Sequence, residues 1–533
     1  MTEEDRVKAL RWGGAVVAMV ASMMGLRLAR YPMEVYGDSA AQYIEHLARL
    51  RLVERLREGV DGGPLAQLVA LDGAYPPGLP LVESAFGGLV SHAASDVVWL
   101  GFGWWFLLAW AVALLGRRLL PDVKWAGPAC FVAMVLVPAT QAVALRSYYD
   151  LPMTALLWMA LAVLSGACRW RGVWAGLLLV AAVLIKWTAL PYGLVMVLAW
   201  WIVVRPERVQ PVLVALGLMG TWTAVFLSAG AESFSSMGGA TFQPAPGVSV
   251  DAAGSGLGQW LTVAGANWGR LGIEQLVFYP VRLVTTVLSP VGAVLVVFGL
   301  GSLWRRQRHL VGLVGLIGVG QWLFLLLLVP LQDDRFLLTM APGLALLGGV
   351  GLLQWGRLAV GAVVVMLMVS ADAHLWRPLV VADGDVRSEA MEGRAWQPRL
   401  GMSSSWDRRG WSRSGDMRPD KTAQRERLWA TLSGCGGGVV AASERLITGA
   451  GDQNWWVYRR TLDQVEGEEV KIRWSGEPGS GEQPPRLWVG GAAGPRAGSS
   501  KAPTGWPQVG SVADDMGSPV WVILAGTSDV ECR

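Results

Sequence analysis

Four short stretches carry ionisable residues where an otherwise apolar chain enters or leaves a hydrophobic run. They are Gly37-Asp38-Ser39, Arg146-Ser147-Tyr148-Tyr149-Asp150-Leu151-Pro152, the isolated Lys186, and Asp333-Asp334-Arg335. An ionised group beside hydrocarbon is costly unless hydrated, paired or put to use, so each position needs a cause. Carboxylates such as Asp38 and Asp150 can take a proton from a hydroxyl. Arginine grips an oxyanion with two parallel hydrogen bonds, whereas lysine acts as a point charge. A fifth stretch, Tyr75-Pro76-Pro77-Gly78, returns the chain to an apolar run. Its prolines cannot continue a helix and impose a rigid, extended approach. Tyr75, Pro76, Pro77 and Tyr149 form the candidate substrate loop.

The elements that must hold these residues are membrane helices. Hydrophobic residues make up 53% of the 533 residues and charged residues only 16%, with a mean hydropathy of +0.40. A soluble domain carries roughly 25% charged residues, so the expected class is a polytopic α-helical membrane protein. A net charge of +4 is too small and dispersed to imply nucleic acid. Apolar runs of ~17–25 residues give about eleven spans, near 10–29, 97–116, 125–143, 152–168, 173–187, 188–204, 211–229, 281–303, 310–330, 336–353 and 357–372. The fifth and sixth are one long apolar stretch divided at Lys186-Trp187, because a lysine prefers the interface.

Lys and Arg set the expected orientation. With the N-terminus inside, the cytoplasmic loops carry Arg6, Lys8 and Arg11, then Arg117, Arg118 and Lys124, Arg169 and Arg171, Arg205 and Arg208, Arg305, Arg306 and Arg308, and Arg357. The loop at 46–58 is also basic but falls outside; its apolar residues share one helical face, which fits a surface helix, amphipathic or simply solvated. The acidic start, Glu3-Glu4-Asp5, and the lack of a small-residue cleavage site argue that the first run stays as a helix.

An odd span count places residues 373–533 outside the cytoplasm. Residues 373–421 read as a linker and 422–433 as a helix. Val439–Ala442, Val470–Trp474, Leu487–Val489 and Val520–Leu524 read as strands, with a helix at Trp455–Leu462, so 422–533 is expected to be a small α/β domain. Cys435 and Cys532 bracket that domain in an oxidising compartment and are expected to be linked, whereas Cys130 and Cys168 lie in or beside spans as packing residues. The four histidines show no metal-ligand spacing. The run Gly434-Cys435-Gly436-Gly437-Gly438 precedes a strand, whereas a phosphate loop follows one.

On this topology Asp38, Asp150, Lys186 and Arg335 all face the outer side, which is the main argument for an active site there. The ordered set also resembles a known family. An Asp after the first helix, Tyr-Pro-Pro-Gly before the second, Tyr-Tyr-Asp-Leu-Pro, Ile-Lys-Trp-Thr and Arg-Phe-Leu-Leu-x-x-x-Pro resemble the GT-C membrane glycosyltransferases. The nearest likeness is to the protein O-mannosyltransferase and lipid A aminoarabinose transferase group, over residues 10–372. The resemblance implies a polyprenyl-phosphate-linked sugar donor and a lipid, glycan or protein acceptor on the outer face. By position, it implies Asp38 and Asp150 as catalytic acids and Lys186 and Arg335 as cations near the lipid phosphate. Arg146 is a third candidate beside that phosphate. Members often carry Asp-Glu after the first helix; here Ser39 follows Asp38. No metal ligands are assigned, and a divalent cation remains an open alternative.

Those roles are chemically consistent. Displacing a phosphate from an anomeric carbon needs a base for the incoming hydroxyl and fixed cations where the leaving group gains charge. One carboxylate base and no second nucleophile favour direct, inverting displacement. Asp150 either acts as a second acid or pairs with Arg146. The rival classes are a lipid or oligosaccharide transporter, which needs charge at mid-membrane and repeat symmetry, and a non-catalytic envelope-assembly protein. Within the enzyme class, an oligosaccharide ligase is the other reading.

Overall fold

The structure, a computed structural model, describes residues 3–30, 76–85, 94–145, 149–205, 209–229, 265, 268, 273–328, 334–371, 419–436, 438–442, 472–474, 484–491, 504–513 and 519–526. Its helices are α1 (Glu3–Arg30), α2 (Gly78–Ala85), α3 (Ala94–Leu119), α4 (Ala126–Val135), α5 (Pro138–Ala144), α6 (Asp150–Leu164) and α7 (Arg171–Ile185). They continue with α8 (Ala189–Val204), α9 (Gln210–Ser228), α10 (Ile273–Arg282), α11 (Ser289–Arg306), α12 (Arg308–Leu328), α13 (Ala341–Trp355), α14 (Leu358–Ala371) and α15 (Pro419–Gly434). A π-helical turn, Leu283–Val287, joins α10 to α11, and a 3-10 helix, Asp334–Thr339, precedes α13.

By length and composition, three described helices can cross a membrane alone: Trp99–Leu119, Gln210–Ser228 and Arg308–Leu327. The bent pair α4 and α5 makes a fourth, and six shorter apolar helices accompany them. The chain is thus a multi-pass helical membrane protein whose described helices follow most of the expected runs, with two of those runs broken. The run at 125–143 bends by 61° between α4 and α5. Pro138 starts α5 without an N–H to donate, and Gln141 Nε2 repairs the break by donating to the Val135 carbonyl at 2.8 Å. The run at 281–303 is likewise divided, by the π turn and by Ser289 at φ 67. The Ser289 hydroxyl accepts from the Gly292 N–H at 3.3 Å and caps α11.

In a bilayer, apolar surface alone does not hold helices together, so small residues that allow close approach carry the packing. Helices α11 and α13 meet this way: a Cβ at Gly299 would strike the Leu347 carbonyl, and one at Gly351 would strike that of Leu295. Helix α6 is buried almost all round, among α3, α7, α8 and the 3-10 helix. That placement makes its N-terminus the centre of the site described below.

The C-terminal strands are β1 (Gly438–Ala442), β2 (Ile472–Trp474), β3 (Leu487–Gly491), β4 (Gln508–Ala513) and β5 (Pro519–Ala525). They form one sheet in the order β2-β1-β3-β5-β4, with β1 parallel to β2 and β3, and β5 antiparallel to β3 and β4. Four strands match expectation. The fifth, β4, is missing from the sequence reading because Gly510 and Ser511 break its apolar alternation, and its pairing shifts at Gln508/Gly510. Helix α15 packs against β4 and begins at Pro419, within the stretch read as linker. Cys435 is disulfide-bonded, while Cys130 and Cys168 are free thiols; Cys532 lies outside the described residues. The expected helices at 46–58 and Trp455–Leu462 and most of the linker also lie outside them.

Candidate active site

Asp150 opens α6, where the unpaired backbone N–H groups of the first turn favour a carboxylate. Lys186 is the residue that stops α7: its backbone turns extended (φ −150, ψ 119) while its N–H still donates to the Ala182 carbonyl. A helix C-terminus favours a cation for the complementary reason. The two side chains meet, Lys186 Nζ lying 2.7 Å from Asp150 Oδ1. Both are buried, with side chains 8% and 4% exposed. The partner shown for Asp150 thus comes from another helix; Arg146, the partner considered from sequence, lies outside the described residues.

Other candidate segments are packed around the pair. Pro76 and Pro77 are buried and lead into α2 at Gly78. Gly78 sits against the last turn of α7, where an added Cβ would stand 2.6 Å from both the carbonyl carbon and oxygen of Leu184. Gly78, the last residue of the re-entry motif, thus abuts the backbone that leads into Lys186. Phe336 of the 3-10 helix lies with its ring 5.9 Å from Lys186 Nζ, within cation–π range. Its neighbour Arg335 is in the same 3-10 helix. The Trp158 indole donates to the Thr339 carbonyl at 2.9 Å and fastens that 3-10 helix to α6. The Thr188 hydroxyl bonds Met153 Sδ at 3.4 Å, tying the start of α8 to α6.

Tyr149 is buried beside Asp150. Asp38 and Tyr75 lie outside the described residues. The structure therefore brings together Asp150 and Lys186, with Tyr149 next to Asp150 in the chain and Phe336, the neighbour of Arg335, over Lys186; Pro76 and Pro77 adjoin Gly78, which meets the end of α7. Three aromatic residues at this site carried no sequence signal. Tyr192 of α8 lies in the electrostatic reach of Asp150 and of Tyr279 of α10, and its ring meets the Phe324 ring edge-on at 5.0 Å. Tyr192 follows Pro191 in the first turn of α8, a place from which a side chain can face the end of α7.

The site is a buried ion pair with the Phe336 ring over its lysine and Gly78 packed on the helix end that precedes that lysine. Burial removes two charges from water, which attraction alone offsets only with good geometry. Among the described residues no group of three or more His, Cys, Asp or Glu side chains is placed to hold a metal ion.

No family model and no curated protein matches the sequence. Solved structures do match the fold. The crystal structure of ArnT from Cupriavidus metallidurans in the apo state superposes with a TM-score of 0.54 and 14% identity, over 99% of this chain and 100% of that one. The crystal structure of the same protein bound to undecaprenyl phosphate gives a TM-score of 0.54 and 15% identity, over 98% and 99%. The chain thus shares its overall fold with ArnT.

Proposed function

We propose that this protein is a membrane glycosyltransferase that moves a sugar from a polyprenyl-phosphate donor to an acceptor hydroxyl at the outer membrane face. The observation that carries the reading is the buried Asp150–Lys186 pair, with Gly78 packed on the helix end that precedes Lys186, in a fold shared with a protein solved with undecaprenyl phosphate. Asp38 takes the proton from the acceptor hydroxyl as that oxygen bonds to the anomeric carbon. The bond from the anomeric carbon to the phosphate oxygen breaks, its electron pair leaves with the polyprenyl phosphate, and the configuration inverts. Lys186, Arg335 and Arg146 hold the phosphate as its charge grows, which lowers the transition state more than the ground state. Asp150 positions Lys186. In this reading the N-terminus lies inside and the C-terminal sheet outside the cytoplasm.

Mass spectrometry of envelope glycans, lipids and proteins from cells with and without the gene tests this directly. Loss of one glycoform, restored by the parental protein and not by an Asp38→Asn variant, is the expected result. An unchanged glycan profile supports the transporter or assembly reading instead.

A further inference from the structure

The hydrogen-bonding groups around the ion pair are not all used. Asp150 Oδ2, the Thr154 hydroxyl and both side-chain polar atoms of Gln321 are buried with no hydrogen-bond partner among the described residues. Thr154 and Gln321 are fully buried. Asp150 and Thr154 are four residues apart and share one face of α6. Gln321 lies on α12 three residues before Phe324, whose ring meets Tyr192, and Tyr192 lies in reach of Asp150. Helix α8, which carries Tyr192, packs against both α6 and α12.

The depths agree. Trp158 of α6 and Val314 of α12 both approach Gly343, standing 3.1 and 3.2 Å from a Cβ built there. From that level Asp150 is about 12 Å and Gln321 about 10 Å along their helices, at 1.5 Å per residue. Both lie toward the end of the bundle where Phe336 covers Lys186. Gln321 is also two turns from Val314 and so on the same helix face.

Orphaned amide and hydroxyl groups are costly in a bundle with no bulk water, and native proteins pair nearly all of them. Resting on the donor reading above, we propose that Asp150 Oδ2, Thr154, Gln321 and Tyr192 form the surface that reads the sugar of the donor. A carboxylate oxygen accepts, and threonine and glutamine both donate and accept, which matches hydroxyls that do both. Lys186 already balances the charge of Asp150, so the set suits an uncharged, hydroxyl-rich sugar rather than a uronic acid.

Gln321→Leu and Thr154→Val remove the polar atoms with little change in shape. Were the orphans purely structural, these variants would match or exceed parental stability and bind every lipid as the parent does. The test measures binding of the full-length protein in detergent to undecaprenyl phosphate alone and to its glucose, mannose, galacturonate and aminoarabinose conjugates. The expected result is that a neutral conjugate binds the parent more tightly than undecaprenyl phosphate. Gln321→Leu should weaken that conjugate about 10-fold or more, the loss of one or more good hydrogen bonds, and leave undecaprenyl phosphate unchanged. Thr154→Val, the smaller change, carries the test should Gln321→Leu fail to fold. The inference is overturned if the added affinity survives in both variants, or if no neutral conjugate outbinds the bare lipid. Failure of the parent to bind undecaprenyl phosphate itself would instead overturn the donor reading.

Discussion

Lys186 Nζ stands 2.7 Å from Asp150 Oδ1, and each charge occupies the helix end that suits its sign. The carboxylate opens α6 and the ammonium closes α7, so two helix termini and one ion pair support the same geometry. Phe336 from a third segment lies over the lysine, and Gly78 from a fourth packs on the helix end that precedes it. A pair fixed from so many directions gives distinct outcomes when one or both members are changed.

Lys186→Met alone leaves Asp150 buried without its cation. That should destabilise the protein by about 3–5 kcal/mol, as for other broken buried pairs. The double variant Lys186→Met with Asp150→Asn removes the orphan charge and should recover most of that stability, yet transfer no sugar. Thermal unfolding in detergent, read beside a transfer assay, separates the two roles. Recovery of activity in the double variant would reduce the pair to a structural element.

Asp38→Asn keeps size and hydrogen bonding and removes the basic oxygen. Expression and melting temperature should match the parent, while the transfer rate falls ~10²–10⁴-fold, the usual contribution of a general base. Binding of the donor lipid should be unchanged. Parental turnover by the purified variant would remove Asp38 from the mechanism.

Gly78→Val places a side chain where the Leu184 carbonyl carbon and oxygen already stand within 2.6 Å of a Cβ. Because the neighbour is backbone, relief requires moving α2 or the end of α7, with overpacking costing about 1–3 kcal/mol. Lys186 is two residues beyond Leu184, so donor affinity should fall along with stability. By contrast, Gly217→Ala on the exposed face of α9 meets open space and should be neutral. Melting temperature and donor binding of the two variants check this, and equal effects would show that the Gly78 contact is not specific.

Cys435 is bonded while Cys130 and Cys168 are free, and Cys532 is the one other cysteine in the sequence. Non-reducing peptide mapping should recover a single Cys435–Cys532 link. Closing a loop of roughly 100 residues should stabilise the C-terminal domain by about 4–5 kcal/mol on the chain-entropy model. Disulfides persist in oxidising compartments, so a reporter fused after Arg533 should be active only in a form that works outside the cytoplasm. A cytoplasmic signal would reverse the proposed orientation.

The sequence by itself determined the class and most element positions, because membrane helices are written in long apolar runs that the bilayer demands. It also located the break at Lys186, since a lysine cannot sit cheaply at mid-span, and four of the five strands. It did not contain the bend at Pro138 as a measured angle, nor β4, whose glycine and serine mute the alternation. It did not show that Asp150 and Lys186 are partners. They are 36 residues apart, and nothing local in the sequence links one to the other. Which charges meet depends on how α6 and α7 pack and on where their ends fall in depth, and those are properties of the folded bundle. Tyr192, Thr154 and Gln321 were invisible for the same reason: a polar residue in an apolar run acquires meaning only from the helices that surround it, because burial and the loss of water decide whether its hydrogen bonds must be met.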